Sequence, residues 1–443
     1  MVQHMHIRDL NGKKICILGF GKEGQATLRV VESRVRPSAI TIADANPGPA
    51  GYRLPFHRYT CAYGPEYLAS IPLCDIIIKS PGIPPTEDIR SLPGVHTSGT
   101  QIFFDSIADS GATVIGVTGS KGKSTTSTLI YELLKAGGKN VHLIGNIGKP
   151  AIEYIDAATP GTIFVMEMSS YQLMDLTHSP HIAVVTSFFP EHLDYHGSLE
   201  AYKEAKTHIA KFQNRDDVIF FDQTSEGAKD IATRSPGRQI PFSADGSPVR
   251  LEETHLIGTH NVRNIAAAFA VARHIGIDRS TCIEAIKNFH GLPHRLQSLG
   301  IHHGIEWIDD AISTTPESTI AALDALGDRV STIILGGQDR GNDFTNLGKR
   351  IAASNIETVI LFPGSGGRIL EAIEKAEAKV ICFDAFSMEE AVILAKRKTN
   401  QRINESTSPI VLLSTASPSY GMFKNFEEKG DELHACILRQ HQH

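Results

Sequence analysis

The chain of 443 residues lacks the features that mark membrane and nucleic-acid-binding proteins. It has no uninterrupted run of about eighteen apolar residues, so we expect no transmembrane helix and no membrane partner. Its formal net charge of −6 argues against a general nucleic-acid binder, which would usually show a basic balance. The opening segment MVQHMHIRDLNGKK has no apolar core, so we expect no secretory signal.

Cysteine is scarce, and its spacing indicates no metal site. None of the six cysteines belongs to a Cys-x-x-Cys pair. We expect small buried side chains, as for Cys16 and Cys382 in apolar runs, and therefore a reduced, cytoplasmic location. His192 and His196 have His-x-x-x-His spacing, but we predict a loop there, where that spacing does not bring both rings to one face, and so no zinc site.

Strand-like apolar runs alternate with helical segments through most of the chain. This alternation predicts parallel sheets covered by helices on both faces, an α/β fold. The predicted strands are Lys14–Leu18, Ala39–Ala43, Asp75–Ile78, Ala112–Val117, Thr162–Glu167, His181–Thr186, Asp217–Phe221, Glu306–Ile308, Thr332–Leu335, Thr358–Phe362, Val380–Phe383 and Pro409–Leu413.

The most informative segment is GVTGSKGKSTT, residues 116–126, between an apolar strand and a predicted helix at Thr126–Lys135. Backbone N–H groups at such a helix N-terminus bind phosphate. Lys123 would reach the transferred phosphate, and the Ser124 hydroxyl would ligate Mg²⁺. Val117 stands where the common phosphate-loop pattern has glycine, so the match is to the variant T-G-x-x-G-K-[ST].

A second glycine-rich loop, Gly19–Gly24 (GFGKEG), also follows a strand, and Asp44 stands 20 residues beyond its last glycine. This pattern suits a dinucleotide such as NAD, but the diphosphate of UDP makes nearly the same demand on the loop. The segment Ser80–Pro84 (SPGIP) could shape a base or sugar pocket. An NAD-dependent oxidoreductase would leave the other phosphate loop unexplained.

These observations predict three domains. Residues 1–105 form a Rossmann-like N-terminal domain, which the family resemblance given next assigns to a UDP substrate. Residues 106–295 form a central, P-loop-type ATPase domain with a mostly parallel sheet. Residues 296–443 form a Rossmann-like C-terminal domain.

Further motifs follow one another in a specific order along the chain. They are GVTGSKGKST, GNIG (145–148), MEMSSYQL (166–173), PEHLDYHGSLEAYKEAK (190–206), GTHNVRNIAAA (258–268), LPHR (292–295), IDDAISTTPEST (308–319) and SPSYGMFKNFEEKGDE (417–432). This order resembles the Mur ligases, most closely the branch that adds glutamate, from about residue 14 to about residue 433. Folylpolyglutamate synthases share the ATPase core, but the first-domain loop and the C-terminal motif favour the Mur branch.

The resemblance implies an ATP-dependent ligase of peptidoglycan synthesis, which joins glutamate to UDP-N-acetylmuramoyl-L-alanine through an acyl phosphate. Two Mg²⁺ ions and a carbamylated Lys206 belong to the expected site, and we expect a monomer. The implied catalytic residues are Lys123, Glu167, His192 and Lys206, with Ser124, Glu167 and His192 as metal ligands. The implied ATP contacts are Gly119, Ser120, Lys121, Gly122, Lys123, Ser124, Thr125, His260, Asn261, Asn264, Arg295 and Asp310. The implied substrate contacts are Gly21, Asp44, Ser80, Gly82, Asn146, Ser170, Thr314, Arg340, Ser417 and Phe423.

One departure from the family pattern bears on the acceptor amino acid. The motif near Asp310 usually has the sequence D-S-K-A-T-N, whereas Ile312 stands here in place of lysine. Thr314 is retained, and Arg340 could bind a carboxylate in bidentate fashion. We therefore take D-glutamate as the default acceptor and keep L-glutamate, a folylpolyglutamate-type reaction and a non-catalytic nucleotide sensor as alternatives.

Overall fold

The computed structural model of the protein describes residues 4–46, 58–399 and 408–440. Within them the chain forms three β-sheets with flanking helices, so the predicted α/β fold is confirmed. Two compact units are present: Met1–Arg250 with Val262–Ile286, and Leu251–Asn261 with Lys287–His443. The first two sheets lie in unit one and the third in unit two. The domain boundaries near residues 105 and 295 stay predictions.

The first sheet is entirely parallel, with strand order β3-β2-β1-β4-β5. The order reverses beside β1, and the loops after β1 and β4 therefore border the crevice where such sheets bind ligands. Its strands are β1 (Lys14–Leu18), β2 (Ala39–Asp44), β3 (Thr60–Tyr63), β4 (Ile76–Lys79) and β5 (Val95–Thr97), and its helices are α1 (Lys22–Arg34), α2 (Glu87–Arg90) and α3 (Gly99–Ile107).

The second sheet is also parallel, in the order β11-β10-β9-β6-β8-β7. Its buried strands β6 (Thr113–Thr118), β8 (Ile163–Glu167) and β9 (Ile182–Val185) are neighbours, so their carboxyl ends meet at one edge. The other strands are β7 (Val141–Gly145), β10 (Val218–Asp222) and β11 (Arg238–Phe242). The helices are α4 (Lys123–Ala136), α5 (Ser170–Leu173), α6 (Leu193–His196), α7 (Leu199–Lys211), α8 (Glu226–Ala232), α9 (His260–His274) and α10 (Arg279–Lys287).

The third sheet has the order β12-β13-β17-β14-β15-β16 and is parallel except for the hairpin of its first two strands. Its strands are β12 (Gln297–His302), β13 (Ile305–Asp309), β14 (Val330–Gly337), β15 (Thr358–Gly364), β16 (Ile381–Asp384) and β17 (Ile410–Leu413). Its helices are α11 (Pro316–Leu326), α12 (Thr345–Ala352), α13 (Gly366–Lys375), α14 (Met388–Thr399) and α15 (Phe426–Arg439).

The structure departs from the sequence prediction at several elements. The strands β3, β5, β7, β11 and β12 were not predicted, and the helix predicted at Thr126–Lys135 begins three residues earlier, at Lys123. The six cysteines are free, but Cys61 and Cys382 are only partly buried. In the part of the chain that the structure describes, helices of membrane-crossing length and apolarity are absent.

Candidate active site

The phosphate loop connects β6 to α4, and two of its glycines cannot be replaced without a clash. Gly119 has φ +154°, and a Cβ atom there would lie 2.1 Å from Thr186 Oγ1. Gly122 caps α4 with φ +87°, and its Cβ would lie 2.5 Å from Asn264 Oδ1. Side chains with a Cβ rarely adopt such φ values. The backbone is thus folded closely against its neighbours, with the α4 N-terminus at its end.

The amine of Lys123 lies inside this loop. Its Nζ donates to the carbonyl oxygens of Gly119, at 3.0 Å, and Ser120, at 2.9 Å. Ser124 and Thr125 follow in the first turn of α4. The Ser120 hydroxyl instead donates to the Phe189 carbonyl at 2.8 Å, so it fixes the loop against the segment after β9. The loop therefore offers backbone N–H groups and one amine to an anion.

Glu167 ends β8 beside the phosphate loop and is 1% exposed. Its Oε1 accepts a hydrogen bond of 2.6 Å from Asn146 Nδ2. Its Oε2 is buried and has no hydrogen-bond partner among the described residues. A buried carboxylate oxygen without a donor is costly, so this atom is available for a cation.

Lys206 lies on α7 and is 1% exposed, although a helical lysine is ordinarily solvated. Its Nζ donates to the Gly119 carbonyl at 2.9 Å and to Thr118 Oγ1 at 3.3 Å, at the carboxyl end of β6. Burial, and next the charge of Lys123, hold the pKa of Lys206 well below its usual value, against the opposing charges of Glu191 and Glu167. The amine is therefore easily made neutral and nucleophilic.

His196 does not lie in a loop as predicted, because residues 193–196 form the one-turn helix α6, whereas His192 does lie in the loop before this helix. His192 precedes this helix in the left-handed region, with φ +55°. Burial lowers the pKa of His192; Glu191 opposes this shift, and Lys123 and Lys206 add to it. The neutral ring is the form that ligates metals. His196 Nε2 lies 2.9 Å from Ser170 Oγ, which brings Ser170 into the same neighbourhood.

Around the first glycine-rich loop, the predicted substrate contacts lie at the carboxyl ends of β1, β2 and β4. Gly19 has φ +89°, and its carbonyl accepts a 2.7 Å hydrogen bond from Ser80 Oγ. Asp44 accepts a 2.7 Å bond from the N–H of Phe20. Gly21 precedes α1, and Gly82 is exposed with open space where a Cβ would stand. The first sheet thus has a crevice for a ligand at its topological switch point.

Two contacts tie the loop Ser80–Pro84 to the second sheet's elements. The Tyr195 hydroxyl, on α6, lies 2.7 Å from the carbonyl oxygen of Pro81 and 3.0 Å from that of Ile83. Lys79, which is buried at the end of β4, forms an ion pair of 2.8 Å with Asp175. Since α6 also follows His192, the two predicted sites of unit one share a structural element.

The amide side chains of α9 have separate partners. Asn264 Oδ1 lies 3.3 Å from Thr126 Oγ1 on α4, so this residue packs against the phosphate loop's helix. Asn261 Nδ2 donates to the Ile257 carbonyl at 2.8 Å. His260 is the first residue of α9.

In unit two, Asp310 is buried after β13, beside Arg295. Its Oδ1 accepts from the N–H of Leu296 at 3.2 Å and its Oδ2 from Ser414 Oγ at 2.8 Å. Burial raises the pKa of Asp310 to about 6, against hydrogen bonds and the positive charge of Arg295. Buried Lys429, on α15, interacts with the charges of Asp309 and Asp310, and burial lowers the pKa of Lys429 to about 8 against them.

Only some of the residues predicted to bind the acceptor amino acid lie at the surface of unit two. Arg340 is exposed, with its guanidinium 5.7 Å from the Tyr420 ring centre, and Thr314 is half-buried before α11. Ser417 and Phe423 instead lie in the core, where Ser417 Oγ is 2.7 Å from Ser365 Oγ and Phe423 packs on Phe362.

Sequence reasoning passed over Ser419. Its Oγ is buried and has no hydrogen-bond partner among the described residues. It is one residue from Tyr420, whose ring faces Arg340. The repeated serine in SPSY was the only signal in the sequence, and it does not say which hydroxyl lacks a partner.

Comparisons with known proteins place the chain in a family. Residues 117–248 match the "Mur ligase middle domain" and residues 294–403 the "Mur ligase, glutamate ligase domain". A UDP-N-acetylmuramoylalanine–D-glutamate ligase of Streptococcus agalactiae is 34% identical, over 96% of this chain and 97% of the relative. A UDP-N-acetylmuramoyl-L-alanine–L-glutamate ligase of Salinispora tropica is also 34% identical, over 96% of this chain and 98% of the relative.

The fold has matching solved structures. The MurF ligase of Thermotoga maritima, crystallised in complex with ADP, superposes with a TM-score of 0.56 at 16% identity. The match covers 98% of this chain and 96% of that chain, so the two chains share the α/β fold. The chain belongs to the Mur ligase family of ATP-dependent, amide-bond-forming ligases.

Proposed function

We propose that the chain joins glutamate to UDP-N-acetylmuramoyl-L-alanine at the expense of ATP, a step of peptidoglycan precursor synthesis. The observation that carries the proposal is the meeting of Lys123, Lys206 and the unpartnered carboxylate oxygen of Glu167 around one phosphate loop. The names of the Streptococcus and Salinispora relatives support the substrate, and the ADP complex of the MurF ligase supports the nucleotide.

The phosphates of ATP would lie against the loop Gly119–Thr125, with Lys123 turned from the loop carbonyls to the transferred phosphate. A carboxylate must approach a polyphosphate of like charge, so the amine offsets a repulsion that grows as the two groups meet. Asn264 is positioned beside this loop, and Asn261, Arg295 and Asp310 are the further ATP contacts of the proposal.

The donor set of the site fits Mg²⁺. Glu167 offers a carboxylate oxygen to which no described residue donates, Ser124 a hydroxyl and His192 a neutral ring, and oxygen ligands are those that magnesium prefers. When bound, Mg²⁺ would neutralise phosphate charge. Two such ions are part of the proposal.

Lys206 is suited to become a carbamate. The neutral amine attacks CO₂, a C–N bond forms, and one proton leaves to solvent, which gives an N-linked carboxylate. The lowered pKa of Lys206 makes the neutral amine more accessible than that of a solvated lysine. The new negative charge would replace a buried cation next to Glu167 with a second anionic oxygen donor, which further favours a metal ion here.

The reaction itself proceeds in two displacements. The alanyl carboxylate attacks the γ-phosphorus of ATP, which breaks the bond to ADP and forms an acyl phosphate. The amine of glutamate then attacks the acyl carbon, and inorganic phosphate leaves as the amide forms and the amine loses a proton. The crevice of the first sheet, at Gly21, Asp44, Ser80 and Gly82, would bind the UDP moiety. Asn146 and Ser170 would lie nearer the alanyl carboxylate of the substrate.

For the acceptor, we propose D-glutamate. Arg340 supplies the exposed cation for a carboxylate, Thr314 and the unpartnered hydroxyl of Ser419 supply polar contacts, and Ser417 and Phe423 remain candidates from the family resemblance. The reaction with L-glutamate is the second candidate. Two observations favour it: Ile312 stands where the family has lysine, and the Salinispora relative is as similar as the Streptococcus one.

We further propose that the enzyme acts as a cytoplasmic monomer, with no nucleic-acid or membrane partner. UDP-linked precursors and ATP are cytoplasmic metabolites, and the free cysteines are consistent with a reducing compartment.

Phosphate release from ATP tests the proposal. With UDP-N-acetylmuramoyl-L-alanine present, we expect release that requires D-glutamate, and the L-isomer is assayed separately. Lys123→Ala should lower the rate by roughly 10²–10³-fold with little change in the unfolding midpoint. Lys139→Ala, at an exposed lysine after α4, is the matched control and should keep full activity. Phosphate release that depends on neither D-glutamate nor L-glutamate would contradict the assignment. So would a fully active Lys123→Ala enzyme.

A further inference from the structure

Three potential metal ligands meet in unit one away from the residues proposed for catalysis. His4, Asp105 at the end of α3 and His178 after α5 each offer one ligand atom, and these atoms lie within 4.8 Å of one another. His4 Nδ1 is 2.8 Å and His178 Nε2 is 2.7 Å from Asp105 Oδ1. Among the residues that the structure describes, no second group of this kind occurs.

The carboxylate at the centre of the group is held in a fixed orientation. Asp105 Oδ2 accepts hydrogen bonds from the N–H of Met5, at 2.7 Å, and from Gln101 Nε2, at 2.8 Å. These two donors occupy Oδ2 and leave Oδ1 to face both imidazole rings. Supporting hydrogen bonds of this kind orient the ligands in protein metal sites.

The two histidine side chains differ in how firmly the surrounding residues hold them. The His178 ring stacks on Phe104 with the planes 10° apart and the centres 5.7 Å apart, so its orientation is fixed by packing. The His4 side chain is 72% exposed and can move. The carboxyl group is deprotonated at any pH of interest: burial raises the pKa of Asp105, but its hydrogen bonds, led by that of His178, hold it well below its usual range.

We propose that His4, Asp105 and His178 bind one divalent transition-metal ion of the zinc type, with water as the fourth ligand. Two imidazole nitrogens and one carboxylate oxygen are a ligand set that suits Zn²⁺, Co²⁺ and Ni²⁺, whereas Mg²⁺ and Ca²⁺ prefer sites in which most ligand atoms are oxygen. Zinc bonds of 2.0–2.1 Å place tetrahedral ligand atoms about 3.3 Å apart. A shift of His4 by less than about 1 Å, with a small adjustment at His178, would therefore separate the ligand atoms by the distance that a zinc ion requires.

The ion would act as a structural link. The segment before the first sheet is attached to α3 by the Met5 contact and by the Ile7 N–H, which donates to Ser106 Oγ at 2.9 Å. A bound ion would add a link from this segment to α3 and to the chain after α5, which belongs to the second sheet's elements. A ligand that binds only the folded state raises its stability, so the ion should raise the unfolding temperature.

The test uses the full chain without an affinity tag, in excess Mg²⁺. Zn²⁺ binding is measured by calorimetry, and Co²⁺ binding by its visible absorption bands. His4→Ala and His178→Ala should each weaken the tightest zinc site at least roughly tenfold and reduce the zinc-induced rise in unfolding temperature. His6→Ala, two residues from His4 and outside the group, is the control and should bind as the wild type does.

The pH dependence gives a second readout. Protons compete with a metal ion for imidazole nitrogen, so zinc affinity should fall as the solution is made more acidic. His4→Ala removes an exposed side chain and keeps the test valid if His178→Ala does not fold. Equal zinc affinity in the wild type, His4→Ala and His6→Ala, or no zinc binding by the wild type, would overturn the proposal.

Discussion

Replacing Glu167 with glutamine separates a catalytic role of this residue from a structural one. The amide oxygen can still accept the 2.6 Å hydrogen bond from Asn146, so only the buried Oε2 and the negative charge are lost. If that oxygen binds the metal of the reaction, the loss of one preorganised electrostatic contact lowers kcat by roughly 10²–10³-fold, about 2.7–4 kcal/mol in the transition state.

Stability should hardly change in the same variant. The new amide nitrogen is as unpaired as the oxygen it replaces, so we expect the free energy of unfolding to shift by no more than about 1 kcal/mol. That corresponds to about 2–4 °C in the unfolding midpoint of a domain of this size.

Phosphate release gives kcat, and thermal unfolding is followed with and without Mg²⁺. Glu204→Gln, at an exposed glutamate on α7, is the matched control and should retain the wild-type rate. Near-normal turnover by Glu167→Gln would refute the reasoning. So would a fall in stability of several kcal/mol, because Glu167 would then be a structural residue.

Three further predictions follow from the described contacts. Gly122→Ala should abolish activity and destabilise the fold by about 1–2 kcal/mol, because a Cβ with positive φ would lie 2.5 Å from Asn264 Oδ1; wild-type kinetics would contradict this. The hydrogen bond to Asp309 raises the pKa of His294 in the folded protein. Protonated His294 therefore contributes fully to the free energy of unfolding below about pH 6.5, and this contribution is lost as the pH rises through the pKa that His294 has in the folded protein. His294→Gln should therefore reduce the free energy of unfolding by about 1.5–3 kcal/mol at pH 6 and by less at pH 9, and an equal loss at both would be contrary to expectation. Tyr195→Phe should raise KM for the UDP substrate several-fold with a smaller effect on KM for ATP, since its hydroxyl holds the loop after β4; unchanged kinetics would argue against that role.

The central strands of all three sheets could be predicted because they are fully buried on both faces and are therefore continuous apolar runs. β11, with the sequence RQIPF, escaped prediction because it is an edge strand with polar residues and a proline. β12 is another exposed edge and contains a glycine. Helix α6 is one turn long, below the length at which periodicity can be recognised.

The residues of the candidate site likewise include some that the sequence predicts and some that only the fold identifies. The phosphate loop was predictable because its glycines and lysine are close in sequence and the chemistry requires them there. Lys206 was identified only through the family resemblance, because it is 88 residues from Thr118 and only the fold buries its amine against the end of β6. The unpartnered atoms of Glu167 and Ser419 are likewise properties of packing that a single sequence does not contain.

A crystal structure with a non-hydrolysable ATP analogue and Mg²⁺ tests the central claim most directly. We predict that the triphosphate lies against Gly119–Thr125, that Lys123 Nζ has moved from the loop carbonyls to the γ-phosphate, and that a metal ion contacts Glu167 Oε2. Density for the analogue at another site, with this loop unchanged, would contradict the account.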